Sequence, residues 1–104
     1  MANGSPPRGA YQLDISRMNH ALECFDTALA ELGQNKAVLE STVSSLLAHW
    51  EGRGRLAFEQ EYGMLLGQLR DLEDAMADMR RTLATSEARY RESGGAIGGM
   101  AVNG

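Results

Sequence analysis

Residues 46–58 read LLAHWEGRGRLAF, and they interrupt an otherwise continuous helical pattern near the middle of the chain. Within this stretch, Gly52 and Gly54 supply the positive φ angles that the end of one helix and the start of the next commonly require. The only two prolines lie close to the N-terminus, so nothing else breaks a helix before the Gly-rich C-terminal end. The sequence therefore predicts a helix, a turn and a second helix.

The apolar residues on both sides of the turn follow alternate steps of three and four. Before and within the turn, this seam consists of Ile15, Met18, Leu22, Phe25, Leu29, Leu32, Lys36, Leu39, Val43, Leu46 and Trp50, with one exception at Lys36. After the turn it consists of Phe58, Tyr62, Leu65, Leu69, Leu72, Met76, Met79, Leu83, Ser86 and Tyr90, with one exception at Ser86. A heptad repeat held this long is typical of supercoiled helices. We therefore expect an all-α fold, an antiparallel helical hairpin of the coiled-coil type.

The hairpin can be aligned in two registers, because residues that face each other in an antiparallel pair have numbers with a constant sum. The two seams interlock at sums of 101 and 108. The first places Leu29 by Leu72, and the second places Trp50 opposite Phe58. We favour the first, because the segment after Gly54 already has a helical pattern and leaves little room for a later turn.

The predicted organisation has three parts. Residues 1–12 form a flexible N-terminal arm, and residues 13–92 form the hairpin. Within the hairpin, the first helix covers about 13–48, the turn 49–54 and the second helix about 55–92. Residues 93–104, which are rich in glycine, form a flexible tail.

Small or apolar side chains outside the seam indicate a partner. The first helix is rich in alanine and serine, and the second adds the patch Gly63, Met64, Leu66 and Gly67. Two glycines four residues apart lower helix propensity by about 1 kcal/mol each relative to alanine, so another contact should offset them. Packing two hairpins face to face into a four-helix bundle would bury these residues. The alternative is that the small residues only reduce the entropy cost of an exposed surface.

Composition excludes several classes of function. The net charge of −4 opposes binding to nucleic acid. No apolar run is long enough to span a bilayer, membrane contact is not indicated, and the N-terminus lacks the apolar core of a signal peptide. With one cysteine and two distant histidines, there is no spacing that predicts a metal site or a cofactor.

We also expect no catalytic activity and no small-molecule substrate. His20 and His49 lie at opposite ends of the first helix and cannot share a site within one hairpin. Cys24 is predicted to be a small buried thiol without a neighbouring base. Lys36, the one ionisable seam residue, is expected to pack its stem and reach water or a carboxylate with its amine, and it could fix the register or the choice of partner.

The segment Trp50-Glu51-Gly52, at the midpoint of 104 residues and between two amphipathic helices, resembles the turn of the Trp-X-Gly (WXG) family of early secretory antigenic target proteins. An aromatic residue eight positions after the tryptophan, Phe58, and a second glycine, Gly54, match further features of that family. A flexible Gly-rich end, residues 94–104, matches as well. The similarity covers nearly the whole chain.

The resemblance implies a hairpin that dimerises into a four-helix bundle, with itself or with a related partner. It also implies export through a type VII (ESX or Ess) secretion system, after synthesis in the cytoplasm without a signal peptide. The motif residues Trp50 and Gly52 would contribute to recognition of a partner or of the secretion machinery. Support for the turn and partner contacts would come from Gly54, Phe58, Tyr62, Gly63, Met64, Leu66 and Gly67.

One position departs from the family pattern. The export signal of the family is a tyrosine followed four residues later by Asp or Glu, whereas Tyr90 is followed by Gly94. This departure favours a heterodimer, or a small partner that escorts a larger effector, while a homodimer stays open. Two other functions stay open as well: a helical chaperone that is not secreted, and a structural coiled-coil subunit whose hairpins stack head to tail.

Overall fold

The computed structural model describes residues 8–103, with side chains described for residue 9 and residues 11–94. It consists of two helices, α1 (Arg8–Ala48) and α2 (Arg55–Asn103), and the described residues contain no strand. Contacts between the helices pair rising residue numbers in α1 with falling numbers in α2, as in Asp26 with Arg80 and Tyr11 with Tyr90. The prediction of an all-α antiparallel hairpin is confirmed.

The first helix ends at Ala48 and the second begins at Arg55. α1 begins at Arg8, within the segment expected to be an arm, and residues 1–7 lie outside the described residues. α2 continues to Asn103, through most of the segment expected to be a tail, and Gly104 lies outside the described residues. No proline follows the turn, so the backbone hydrogen bonds of α2 can continue through the glycines.

The chain divides into two compact units, which are described separately. The terminal unit contains Met1–Asp26 and Asp78–Gly104, and the turn unit contains Thr27–Ala77. Each unit combines one part of α1 with one part of α2.

Burial confirms the predicted seam of α1 at every position but one. Of its positions only Leu46 is exposed, and Leu47 is half-buried beside it. On α2 the prediction is wrong at one position in each heptad, because Leu65, Leu72, Met79 and Ser86 are all exposed. The residues that follow them are half-buried or buried instead: Leu66, Glu73, Arg80 and Glu87.

The favoured register is also wrong within the turn unit. Trp50 packs against Phe58, and the ammonium of Lys36 lies 3.1 Å from a carboxylate oxygen of Glu73. The residue numbers of the first pair sum to 108 and those of the second to 109, so both contacts fit the second register and not the first. The physical reason is the charge of Lys36, which in the other register would face Leu65, whereas here it reaches a carboxylate.

The packed interior is small. Val43, 6 % exposed, is the only buried apolar side chain among those described, and none of these is fully buried. None of the described helices is both long enough and apolar enough to cross a membrane.

Candidate functional site

The turn is built from six residues, 49–54, between the two helices. The amides of His49 and Trp50 donate to the carbonyl oxygens of Leu46 and Leu47, at 3.1 and 3.4 Å, which tightens the end of α1. At the other end Gly54 has a φ of 90°, a conformation that residues with a Cβ rarely adopt. Its carbonyl oxygen accepts the amide of Phe58 at 2.9 Å and so begins α2.

Trp50 closes the turn unit by packing on an aromatic residue of α2. Its ring centroid lies 5.4 Å from that of Phe58, and Phe58 in turn stacks on Tyr62, with centroids 6.2 Å apart. Arg55 donates from Nη1 to the carbonyl oxygen of Trp50 at 3.1 Å, which fixes the backbone of the motif. The indole is half-buried, and the edge of its ring lies beside Gly52, where an added Cβ would come within 3.4 Å of Nε1.

The residues predicted to support the turn or a partner fall into two groups. Trp50, Phe58 and Tyr62 form one aromatic row, and Leu66 is half-buried further along α2. Gly63 and Met64 are exposed, and a Cβ added at Gly63 or Gly67 would meet open space. The glycines therefore permit close approach of another helix, whereas the row belongs to the interior of the turn unit.

Tyr62 carries a hydroxyl that is buried and has no hydrogen-bond partner among the described residues. We expect Tyr62→Phe to raise the free energy of unfolding by about 1 kcal/mol, because the change removes an unpaired polar group and keeps the ring. Thermal unfolding followed by circular dichroism measures the effect. Tyr90→Phe is the control, since its hydroxyl is hydrogen-bonded and its loss should lower stability. Equal destabilisation by both changes would contradict this prediction.

Tyr90, the position expected to carry the export signal, belongs to a separate cluster in the terminal unit. Its ring lies 4.6 Å from that of Tyr11, whose hydroxyl donates to the carbonyl oxygen of Tyr90. The hydroxyl of Tyr90 donates to Oδ2 of Asp14 at 3.0 Å. Gly94 lies so close to the ring of Tyr11 that an added Cβ would collide with it. The first turns of α1 thus cover the position at which the family signal has its acidic residue.

The hydrogen bond to Asp14 raises the pKa of Tyr90 above its ordinary value, and partial burial and the charge of Asp14 add to the shift. A raised pKa in the folded chain means that this contact stabilises the fold while Tyr90 is protonated. The contribution is complete below the pKa of an unfolded tyrosine, about 10, and is lost as the pH rises through the folded value.

We therefore expect Asp14→Asn to lower the pKa of Tyr90 towards that ordinary value. Absorbance of the tyrosinate during alkaline titration measures it, with Tyr90→Phe identifying which of the three tyrosines titrates late. A late titration that persists in Asp14→Asn would count against the hydrogen bond as its cause.

Apolar side chains that face outward are the feature that heptad counting missed. In the turn unit Met64 is 66 % exposed, and Leu65 and Leu72 are exposed as well. In the terminal unit Met79, 59 % exposed, lies at an open cleft of about 410 Å³. The cleft is lined by Phe25, Asp78, Met79, Thr82, Leu83 and Ser86. The sequence signal for this outward orientation is the charged residue that directly follows each of them, Glu73 after Leu72 and Arg80 after Met79. Both charged residues pair with residues of α1.

One histidine, His20, lies beside the single cysteine of the chain, Cys24. Cys24 is exposed rather than buried, because it lies one position outside the seam. Its Sγ atom lies 3.7 Å from Nε2 of His20. The prediction that Cys24 has no neighbouring base overlooked this histidine. Among the described residues, no group of three or more His, Cys, Asp or Glu side chains is arranged to hold a metal ion.

Comparison with known proteins gives one family and no individual relative. The model of the family described as "Proteins of 100 residues with WXG" (WXG100) matches residues 10–93. No curated protein and no solved structure matches the chain. The matched segment includes Trp50 and Gly52 of the turn, the aromatic row and Tyr90. This chain, with its hairpin and its Trp-Glu-Gly turn, belongs to the WXG100 family.

Proposed function

We propose that this chain is a small type VII secretion substrate that leaves the cell as a dimer and acts by binding other proteins, without catalysis. Membership in the WXG100 family supports the secretion route. The observation that carries the binding role is the outward apolar surface of the turn unit, formed by Met64, Leu65 and Leu72 and called here the outward patch.

The exposed apolar side chains of the turn unit support a protein–protein interface. Large exposed apolar side chains close to one another are typical of such interfaces, and Gly63 next to the outward patch lets a partner backbone approach.

The occupant proposed for the outward patch is a helix of a second WXG100 hairpin, which completes a four-helix bundle. Leu65 and Leu72 are seven residues apart on one helix, so they lie about 10 Å apart along one face. This is the spacing at which a second helix of the same heptad type inserts its own apolar side chains. A second copy of this chain and a related chain both meet this requirement.

The mass of the purified chain in solution tests the dimer. Light scattering should give about twice 11.3 kDa for a helical, self-associating chain. A helical monomer at high concentration would reject association with a second copy and leave a related hairpin as the partner. A chain that stays monomeric with every WXG100 protein encoded beside it would overturn the binding role.

Export is tested separately, in the organism that makes the chain. We expect it in the culture medium, and we expect it to disappear from the medium when the type VII secretion system is inactivated. Export that continues without that system would reject the secretion route and leave the dimer unaffected.

A second role, as escort for a larger effector, is favoured by one observation. Gly94 lies four residues after Tyr90, where the family signal has an acidic side chain, and the ring of Tyr11 fills the space beside it. In that role a partner would carry the signal. Loss of export after deletion of one partner, with the chain still stable in the cell, would identify the escort.

A further inference from the structure

Three polar contacts join the helices through residues spaced seven apart on α2, and they are called here the polar rungs. In the turn unit, Nζ of Lys36 lies 3.1 Å from Oε1 of Glu73. In the terminal unit, Arg80 donates to both carboxylate oxygens of Asp26, at 2.8 and 3.2 Å. The third rung joins Asn19 to Glu87: with the amide of Asn19 turned so that its nitrogen faces the carboxylate, it donates to Oε2 of Glu87 at 3.2 Å, and the same oxygen accepts from Arg91. Each rung brings a polar residue of α2 to the edge of the interface with α1.

The polar rungs reverse the usual distribution of side chains along α2. Glu87 is only 8 % exposed and Glu73 is half-buried, whereas Leu72, directly before Glu73, is 48 % exposed. Met79, directly before Arg80, is more exposed still. Hydrophobic burial alone favours the opposite orientation, with the leucine and methionine inside and the charges in water.

A small rotation separates the two orientations. Successive residues of an α-helix are 100° apart around its axis, so the direction midway between Leu72 and Glu73 is about 50° from each. Turning α2 by about 50° would therefore bring Leu72 towards α1 and turn Glu73 towards solvent. In the rotated helix, the ammonium of Lys36 and the carboxylate of Asp26 would lose their partners across the interface. Lys36, whose side chain is 27 % exposed, would lose its partner at a mostly covered position, and this cost opposes the rotation, whereas the exposed Asp26 would lose little.

We propose that Asn19, Asp26 and Lys36 are positioning residues that fix the rotation of α2 about its axis and thereby turn Leu72 and Met79 towards a partner. These residues act through Glu73, Arg80 and Glu87. The rotation is a property of the single chain, and only its consequence for association rests on the proposed function. Within each unit, the rungs make the two edges of the helix pair unlike: one edge carries the polar contacts, and the other exposes apolar side chains.

Reactivity of a single thiol tests the rotation directly. Cys24, which is exposed and is the only cysteine, is first replaced by Cys24→Ala. Leu72→Cys then places the sole thiol at the position in question, and its rate of reaction with a maleimide reports exposure. The rate is measured at a concentration at which light scattering shows a monomer.

Replacing the three α1 residues removes the polar rungs. In the triple variant Asn19→Leu, Asp26→Leu and Lys36→Leu, α2 should rotate, and the thiol at position 72 should react about tenfold more slowly, because it enters the interface. A second probe, Leu66→Cys, lies at a half-buried position and should react faster in the same variant. Opposite changes at 66 and 72 identify rotation, since loosening of the fold would accelerate both.

Two controls keep the result interpretable. Exchanging one rung, Lys36→Glu with Glu73→Lys, preserves an ion pair and should leave both rates unchanged. Where the triple variant does not fold, the single change Lys36→Met, which keeps the length of the stem, should move both rates in the same directions by a smaller factor. Unchanged rates at both positions in a folded triple variant would overturn the inference.

The outcome is independent of whether the chain dimerises. If wild-type protein never associates but the rates change as expected, the proposed dimer fails and the positioning role stands. If wild-type protein associates and the maleimide rates at positions 66 and 72 do not change in the triple variant, the dimer stands. The polar rungs then do not determine which face of α2 is turned towards a partner.

Discussion

Changing Leu65 and Leu72 together to lysine is expected to leave the chain folded and helical while abolishing its association with a second hairpin. Leu65 and Leu72 are 40 % and 48 % exposed, and the aliphatic stem of lysine can replace much of the packing that the covered parts make within the chain. Removing an exposed leucine side chain from water contributes about 2 kcal/mol, so the two together contribute about 4 kcal/mol. Association should weaken by about 1000-fold, as measured by sedimentation or light scattering across a dilution series.

The control for this change is Leu56→Lys. Leu56 is as apolar as the other two leucines and more exposed, at 69 %, but in the heptad it lies towards the edge that carries the polar rungs. The Leu56→Lys variant should associate with a second hairpin as strongly as the wild type. Equal weakening by Leu56→Lys would mean that the added positive charge, and not the outward patch, is responsible. Association that survives the double change would exclude the outward patch as the interface.

Trp50→Ala is expected to lower the free energy of unfolding by about 2–3 kcal/mol. The indole packs on Phe58 and fills the space beside Gly52 and Gly54, so its loss leaves a cavity at the end of the turn unit. For a domain of this size, such a loss lowers the midpoint of thermal unfolding by roughly 10 °C or more. The chain should still be helical at low temperature, because both long helices keep their remaining seam contacts.

Trp50→Phe is the matched comparison, since it keeps an aromatic ring against Phe58 and should recover much of the loss. The two variants also separate the roles of the motif residue. If Trp50→Ala unfolds at the wild-type temperature and nevertheless impairs association or export, then the indole acts on a partner and its contact with Phe58 contributes little.

The helices and the turn between them could be predicted from the sequence because they depend on local rules. Proline is absent after the first residues, the apolar steps keep one period on each side, and Gly54 stands where the chain needs a positive φ. The outer ends of the helices depend less on such local rules. Gly-rich ends have a low helix propensity, and propensity alone does not fix where a long helix stops.

The face of α2 was predicted less well, for a reason that lies in Lys36. Counting apolar residues favours Leu65, Leu72 and Met79 as seam positions, since it scores each helix by itself. The orientation depends on charges in the other helix, and those pairs become visible only when the register is known. Lys36 was recognised as the exception in its own seam, but its partner Glu73 was not.

The candidate site follows the same division between local and distant contacts. Trp50, Gly52, Gly54 and Phe58 are close in sequence, so the resemblance could name them as one motif, although the favoured register did not place Trp50 against Phe58. The contacts of Tyr90 with Tyr11 and Asp14 join the two ends of the chain, and no local pattern connects them. Only the three-dimensional structure identifies Tyr11 as the neighbour of Gly94.

That neighbourhood makes Tyr11 and Gly94 an epistatic pair. A mutation that restored the family motif, Gly94→Glu, would put a side chain where the ring of Tyr11 lies, so it would displace that ring before it could act as a signal. An evolutionary path back to the motif is therefore easier after Tyr11 has become small. Among related sequences, an acidic residue at position 94 should accompany a small residue at position 11, and a tyrosine at 11 should accompany glycine at 94.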